Sequence, residues 1–211
     1  MHSDYSIYDS LYEQARTKGW QGWGGDARIA TGPSQVERIL AKSYVPKSGK
    51  VLDLGCGEGH LSRLLAAHGY LVTGVDVSET AIAWALEKEA GKRTVTYIRG
   101  NLCQSGVLAG EFFDLIVDGN CLHCILGDDR PLFLRNVLRL LSYDGVFFVS
   151  SLCSKDDLSV TLMHMGYPYR YVPSRDRLLF ELENSGFQVL AWDEHERKGH
   201  NHINIFTGKR G

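Results

Sequence analysis

Two acids bracket a turn dense in glycine: Val51-Leu52-Asp53-Leu54-Gly55-Cys56-Gly57-Glu58-Gly59-His60-Leu61. Glycine at a strand-to-helix turn lets the backbone bend tightly and lets a ligand lie against it. The dinucleotide fingerprint G-x-G-x-x-G requires glycine at its sixth position. That position is His60 here, and the third glycine arrives one residue early, at Gly59. Asp53 and Glu58 put negative charge where a pyrophosphate would rest on the helix N-terminus, and they would repel it. They suit a ligand that carries cations instead, such as an ammonium and a sulfonium. Asp76 ends the next apolar run, 23 residues after Asp53.

A second cluster is Cys121-Leu122-His123-Cys124. It has three readings. Cys-x-x-Cys with an intervening His offers soft metal ligands, and His195, His200 and His202 could add to them. Against that, adjacent His123 and Cys124 point apart, and no second Cys-x-x-Cys exists. The cluster could instead be a turn with buried, inert thiols. Or His123 could face a substrate as a base or orienting group, since imidazole titrates near neutral pH.

The elements that position these residues follow from periodicity. Apolar runs at 51–54, 71–76, 95–98, 113–117 and 145–149 alternate with amphipathic stretches. Such alternation predicts a mostly parallel sheet covered on both faces. Ser78 is a cap for the helix that ends near Ala90-Gly91, and Asp128, Asp129 and Pro131 mark a later helix start. Pro173-Ser174 opens a helix that stops at Gly186. Two final strands, near 187–193 and 202–208, have no helix between them, so the last should run antiparallel. Before the sheet, residues 4–17 read as a helix through Tyr5, Tyr8 and Tyr12, and Pro33 as the opening of a second helix through Leu40. Residues 154–172 show no clear period.

Composition bounds the partners. The 211 residues suffice for one sizeable domain, and 23 Lys plus Arg against 25 Asp plus Glu give a net charge of −2. A broad nucleic-acid surface needs a clustered excess of Lys and Arg, which this chain lacks. No run is long enough to span a bilayer, and no apolar leader opens the chain. The five cysteines are odd in number and lack scaffold spacing, so reduced thiols and a cytoplasmic location are expected.

Residues 48–152, and the last strands loosely, resemble the class I S-adenosylmethionine-dependent methyltransferases of small-molecule type. The Gly-rich turn resembles their first motif, and Asp76 in Val75-Asp76-Val77-Ser78 resembles the acid that ends their second strand. The resemblance implies an α/β, Rossmann-like three-layer sandwich with a seven-stranded, mostly parallel sheet and an antiparallel last strand. Residues 1–45 would form a helical lid segment and 46–211 the core. The cofactor implied is S-adenosylmethionine, which leaves as S-adenosylhomocysteine. Asp53, Gly55, Cys56, Gly57 and Gly59 would cradle it, and Asp76 would hold both ribose hydroxyls. Val77 would pack on the adenine. Asn101 and Leu102 would lie near the adenine amine, with Asp118 and Gly119 beside the methionine part.

Cys121-Leu122-His123 resembles the Leu-His of small-molecule members, which puts His123 near the departing methyl. His123 is therefore one catalytic candidate; Tyr12, in the aromatic N-terminal segment that would cover the pocket, is the other, for a hydroxyl that meets the acceptor. Tyr8, Trp20, Trp23, His164 and Tyr169 are the candidates for the substrate pocket. No Asn-Pro-Pro-Tyr-like segment follows the fourth strand, and no Pro-Cys nucleophile is present. The expected reaction is in-line methyl transfer to a nitrogen, sulfur or oxygen of a small metabolite. No metal, nucleic acid or membrane is expected, and the protein would be a monomer or homodimer. Two alternatives on the same fold are a nicotinamide-dependent oxidoreductase and a non-catalytic ligand-binding domain.

Overall fold

A computed structural model describes residues 4–211; the first three residues of the expected lid segment lie outside the described residues. The main sheet contains β1 (Lys50–Leu54), β2 (Leu71–Asp76), β3 (Val95–Arg99), β4 (Phe113–Gly119), β5 (Leu141–Cys153), β8 (Phe187–His195) and β9 (Asn201–Lys209). Its order is β3-β2-β1-β4-β5-β9-β8. The pairs among β1 to β5 are parallel, while β9 runs antiparallel to both β5 and β8. The expected antiparallel last strand is thus inserted between two strands that point the other way.

Alternation along each strand divides the core between the two faces. Leu52, Ile116 and Phe147 pack with Phe133, Leu134 and Val137 of α5 (Asp129–Leu140) and with Leu178 and Leu182 of α6 (Arg175–Asn184). Val51, Leu115 and Phe148 pack with Val36 and Ile39 of α2 (Asp26–Leu40) and with Leu65 of α3 (His60–Ala67). This is the expected three-layer sandwich. Ser78 caps α4 (Glu79–Glu89) by accepting from the Ala81 N–H at 3.0 Å. Ser174 caps α6 in the same way.

Two local expectations need correction. Pro33 does not open α2; the helix begins at Asp26, behind Gly25 in the left-handed region, and Pro33 sits inside it. Proline lacks the N–H that would reach the Ile29 carbonyl, a cost the buried apolar face of α2 outweighs. Residues 154–172, which show no clear period, are irregular only over 154–159 and at a turn. They contain an antiparallel hairpin of β6 (Val160–His164) and β7 (Tyr167–Val172). Only one of its strand residues, Val172, is fully buried, so no period-two signal was written into the sequence.

The segment before β1 is seated on the sandwich. α1 (Ser6–Thr17) lies against α4, and Asp9 accepts from the Ser78 hydroxyl at 2.6 Å and the Thr80 N–H at 3.1 Å. Tyr8, Tyr12 and Ala15 are buried with Trp84 of α4.

Candidate active site

The C-terminal ends of β1, β2, β4 and β5 open into a cavity of about 730 Å3 roofed by α1 and α2. The Gly-rich turn forms its floor. Gly55 and Gly57 both have positive φ, +61° and +57°. A Cβ on Gly55 would approach Cys121 to 2.9 Å, and one on Gly57 would meet the Tyr12 hydroxyl at 2.7 Å. Both positions therefore exclude side chains on backbone and space alike.

Asp76 locks this turn to the end of β2. Its Oδ2 accepts from the Gly57 N–H and its Oδ1 from the Ser78 N–H, each at 2.9 Å. Each oxygen keeps a further acceptor position. Asp53 accepts from the Ser62 hydroxyl at 2.5 Å. Burial pushes the Asp76 carboxyl up to about 6 and the Asp53 carboxyl up to about 7, with neighbouring acids adding to the rise. Asp53, Glu58 and Asp76 are all buried, and all three line the cavity. Three acids around one void leave a site that is stabilised by a cation.

The floor continues into a 3-10 turn, Leu122–Cys124. Asp118 accepts from the N–H groups of Cys121 and Leu122. Arg130 donates to the Leu122 and Ile125 carbonyls at 2.7 and 2.9 Å, and pairs with both oxygens of Glu181. The turn is thereby held from both ends. His123, carried on it, faces the cavity, and its Nδ1 accepts from the Leu152 N–H at 3.4 Å. Burial, with Arg170 and Arg28 nearby, holds this imidazole well below its usual range. The neutral form is thereby favoured, and with Nδ1 accepting, its hydrogen is assigned to Nε2. The Tyr12 hydroxyl is held protonated by burial and by the charges of Asp76 and Glu58.

The cavity brings together Asp53, Gly55, Cys56, Gly57, Asp76, Val77, Asn101, Leu102, Gly119, His123, Tyr8, Tyr12 and Trp23 from among the sequence candidates. It leaves five others out of its wall. Gly59 is the left-handed cap of α3, one step beyond the floor. Asp118 is turned inward, its carboxylate used by the 3-10 turn. Trp20 is exposed and covered by Lys18 rather than by ligand-facing groups. His164 packs on Tyr169 in the β6–β7 hairpin, and the Tyr169 carbonyl, not its hydroxyl, meets the site by accepting from Tyr8 at 2.9 Å. The strand period of this hairpin turns those rings away while presenting Arg170 to the cavity.

Several lining groups were not singled out from sequence. Arg28 of α2 donates to the Gly119 carbonyl at 2.9 Å. A polar chain crosses β5 and β9: His202 Nε2 lies 2.8 Å from Asn120 Oδ1, and the Ser150 hydroxyl donates to Asn204 at 3.1 Å. Asn204 in turn donates to Asp193 at 2.9 Å. Burial lowers His202 to about 4, with Arg197 contributing. The available signal was Asn204, a polar residue between Ile203 and Ile205 in a strand that is otherwise apolar at its centre. Among the described residues no group of three His, Cys, Asp or Glu side chains could hold a metal ion. The five cysteines are free.

Comparison with known proteins agrees with this geometry. Residues 52–149 match a methyltransferase-domain family. An uncharacterized methyltransferase of Schizosaccharomyces pombe is 31% identical over 100 residues, 47% of this chain and 68% of that one. YqeM of Bacillus subtilis is 26% identical over 142 residues, and the chain spans only 51% of its length. The 1,6-didemethyltoxoflavin-N1-methyltransferase of Burkholderia thailandensis, solved with bound 1,6-didemethyltoxoflavin and S-adenosylhomocysteine, superposes with a TM-score of 0.79. That similarity covers 98% of this chain and 87% of the other at 22% identity. The chain belongs to the class I S-adenosylmethionine-dependent methyltransferases.

Proposed function

We propose that the chain moves the methyl group of S-adenosylmethionine to a nitrogen, sulfur or oxygen of a small metabolite. One observation carries this reading: the acid-lined floor and the chamber bounded by His123, Asn120 and Ser150 are parts of one cavity, so the two reactants would meet inside it. When bound, S-adenosylmethionine supplies a methyl already activated by its sulfonium.

The protein's part is alignment and exclusion of water. Asp76 fits the ribose hydroxyls, Val77 and Leu102 the adenine surroundings, and Asp53 with Glu58 the cationic end. Arg28, fixed on the Gly119 carbonyl, offers a guanidinium to the carboxylate of the amino-acid part. Tyr8, Tyr12 and Trp23 form an aromatic seal, with Trp23 edge-on to both tyrosines at 5.7 and 5.5 Å. His123 Nε2–H fits an orienting donor to the acceptor better than a base, because burial lowers the basicity of the imidazole and its one lone pair, on Nδ1, already accepts from Leu152. The free thiols suit a cytoplasmic setting.

A methyl-transfer screen over amine, imidazole, thiol and phenol metabolites tests the reading, preceded by tryptophan fluorescence titrations. S-adenosylmethionine should quench or shift the signal and NAD should not. A response to NAD alone would favour an oxidoreductase. Binding of S-adenosylmethionine with no turnover over the whole screen would favour a non-catalytic domain.

A further inference from the structure

The charges lining the cavity are segregated. Its carboxylates are Asp53, Glu58 and Asp76, all at the Gly-rich floor. Among the described residues, no carboxylate lines the chamber beyond His123. That chamber is rimmed by Arg28, Arg170 and Arg197. Arg28 has a partner in the Gly119 carbonyl. Arg170 is different. Its guanidinium lies over the Tyr169 ring at 4.9 Å and the Trp23 ring at 5.5 Å. Its Nε is buried and has no hydrogen-bond partner. A buried donor without an acceptor is costly, and native proteins satisfy nearly all of them. A guanidinium packed against aromatic rings keeps its fork of N–H donors for a carboxylate or phosphate.

Resting on the methyl-transfer reading, we propose that the acceptor carries an oxyanion, and that Arg170 receives it at the mouth of the chamber. The acceptor atom then points inward, toward His123 and the acid-lined floor. The anion neutralises the Arg170 rim. Neutral isosteres of the acceptor lack this contact and bind weakly.

The test uses the full chain loaded with S-adenosylhomocysteine and three ring probes of like shape: benzoate, phenyl phosphate and neutral benzamide. Calorimetry or tryptophan fluorescence should show saturable binding of at least one anion, at least tenfold tighter than benzamide. The anion that binds identifies carboxylate or phosphate as the group. Arg170→Gln should remove at least tenfold of that affinity, Arg170→Lys should keep part of it, and both should bind S-adenosylhomocysteine as the wild type does. Arg135→Gln, which removes the same charge from the exposed side of α5, should change nothing. Benzamide binding as well as the anions, no anion binding, or an Arg170→Gln protein that binds the anions normally would each overturn the proposal while leaving the cofactor site intact. Failure of the wild type to bind S-adenosylhomocysteine would overturn the methyl-transfer reading, and this proposal with it.

Discussion

At the scale of single residues, Asp76 joins two tasks. Its carboxylate ties Gly57 and Ser78 together and faces the cavity with its remaining acceptor positions. Asp76→Ala should weaken S-adenosylhomocysteine binding by about 2–3 kcal/mol through loss of charge-assisted contacts. It should also lower the melting temperature, because two N–H groups lose their acceptor. Asp76→Asn offers one carbonyl in place of two anionic oxygens and should recover part of the stability but little of the affinity. Calorimetry and thermal melts on both variants separate the two tasks; unchanged affinity in a folded Asp76→Ala protein would remove the ribose assignment. His123 is the complementary case. As an orienting donor, His123→Gln should retain more turnover than His123→Ala, with cofactor affinity unchanged in both. Equal, complete loss of turnover would restore proton removal as its role.

At the scale of elements, the Gly-rich turn and the acid ending β2 were legible because chemistry fixed both their types and their spacing. The strand–helix alternation was legible because the central strands β1, β4 and β5 are buried on both faces. What sequence could not give was the side of the cavity made by elements with weak signals. The start of α2 was hidden by Pro33, and with it Arg28. The β6–β7 hairpin was hidden by its exposure, and with it Arg170. The placement of His123 depends on an ion pair between residues 51 apart, Arg130 and Glu181. Both partners are largely buried, so removing one leaves the other uncompensated. Glu181→Gln should therefore cost about 3 kcal/mol in denaturant unfolding and loosen the 3-10 turn. A Glu181→Gln protein of wild-type stability would show that the pair does not hold α6 and this turn in place. A smaller effect, about 1–2 kcal/mol, is expected for Asp9→Ala, which unfastens α1 from the start of α4.

At the scale of the whole molecule, buried carboxylates couple stability to pH and to the cofactor. In the folded protein burial raises Asp53 and Asp118 to about 7 and Asp76 to about 6, from an ordinary value of 3.8. Folding therefore takes up protons between these values. The free protein should lose stability as pH rises from about 4 to 7, because ionised carboxylates are favoured in the unfolded chain. Cofactor binding has the opposite sign. In the proposed reading the ionised forms of the acids at the floor would hold a sulfonium and an ammonium, while Asp118, which is outside the cavity wall, would contribute only to stability. For a group titrating near 7 that must be ionised, affinity should rise roughly tenfold between pH 6 and 7.5. Calorimetric titration with S-adenosylmethionine at the two pH values checks this. S-adenosylhomocysteine lacks the sulfonium and should show a shallower rise. Asp53→Asn should weaken binding at pH 7.5 and flatten the profile, since the amide cannot ionise. A profile for S-adenosylmethionine that is flat in the wild type, or equally steep in Asp53→Asn, would mean that the acids at the floor do not act on the cofactor's charge.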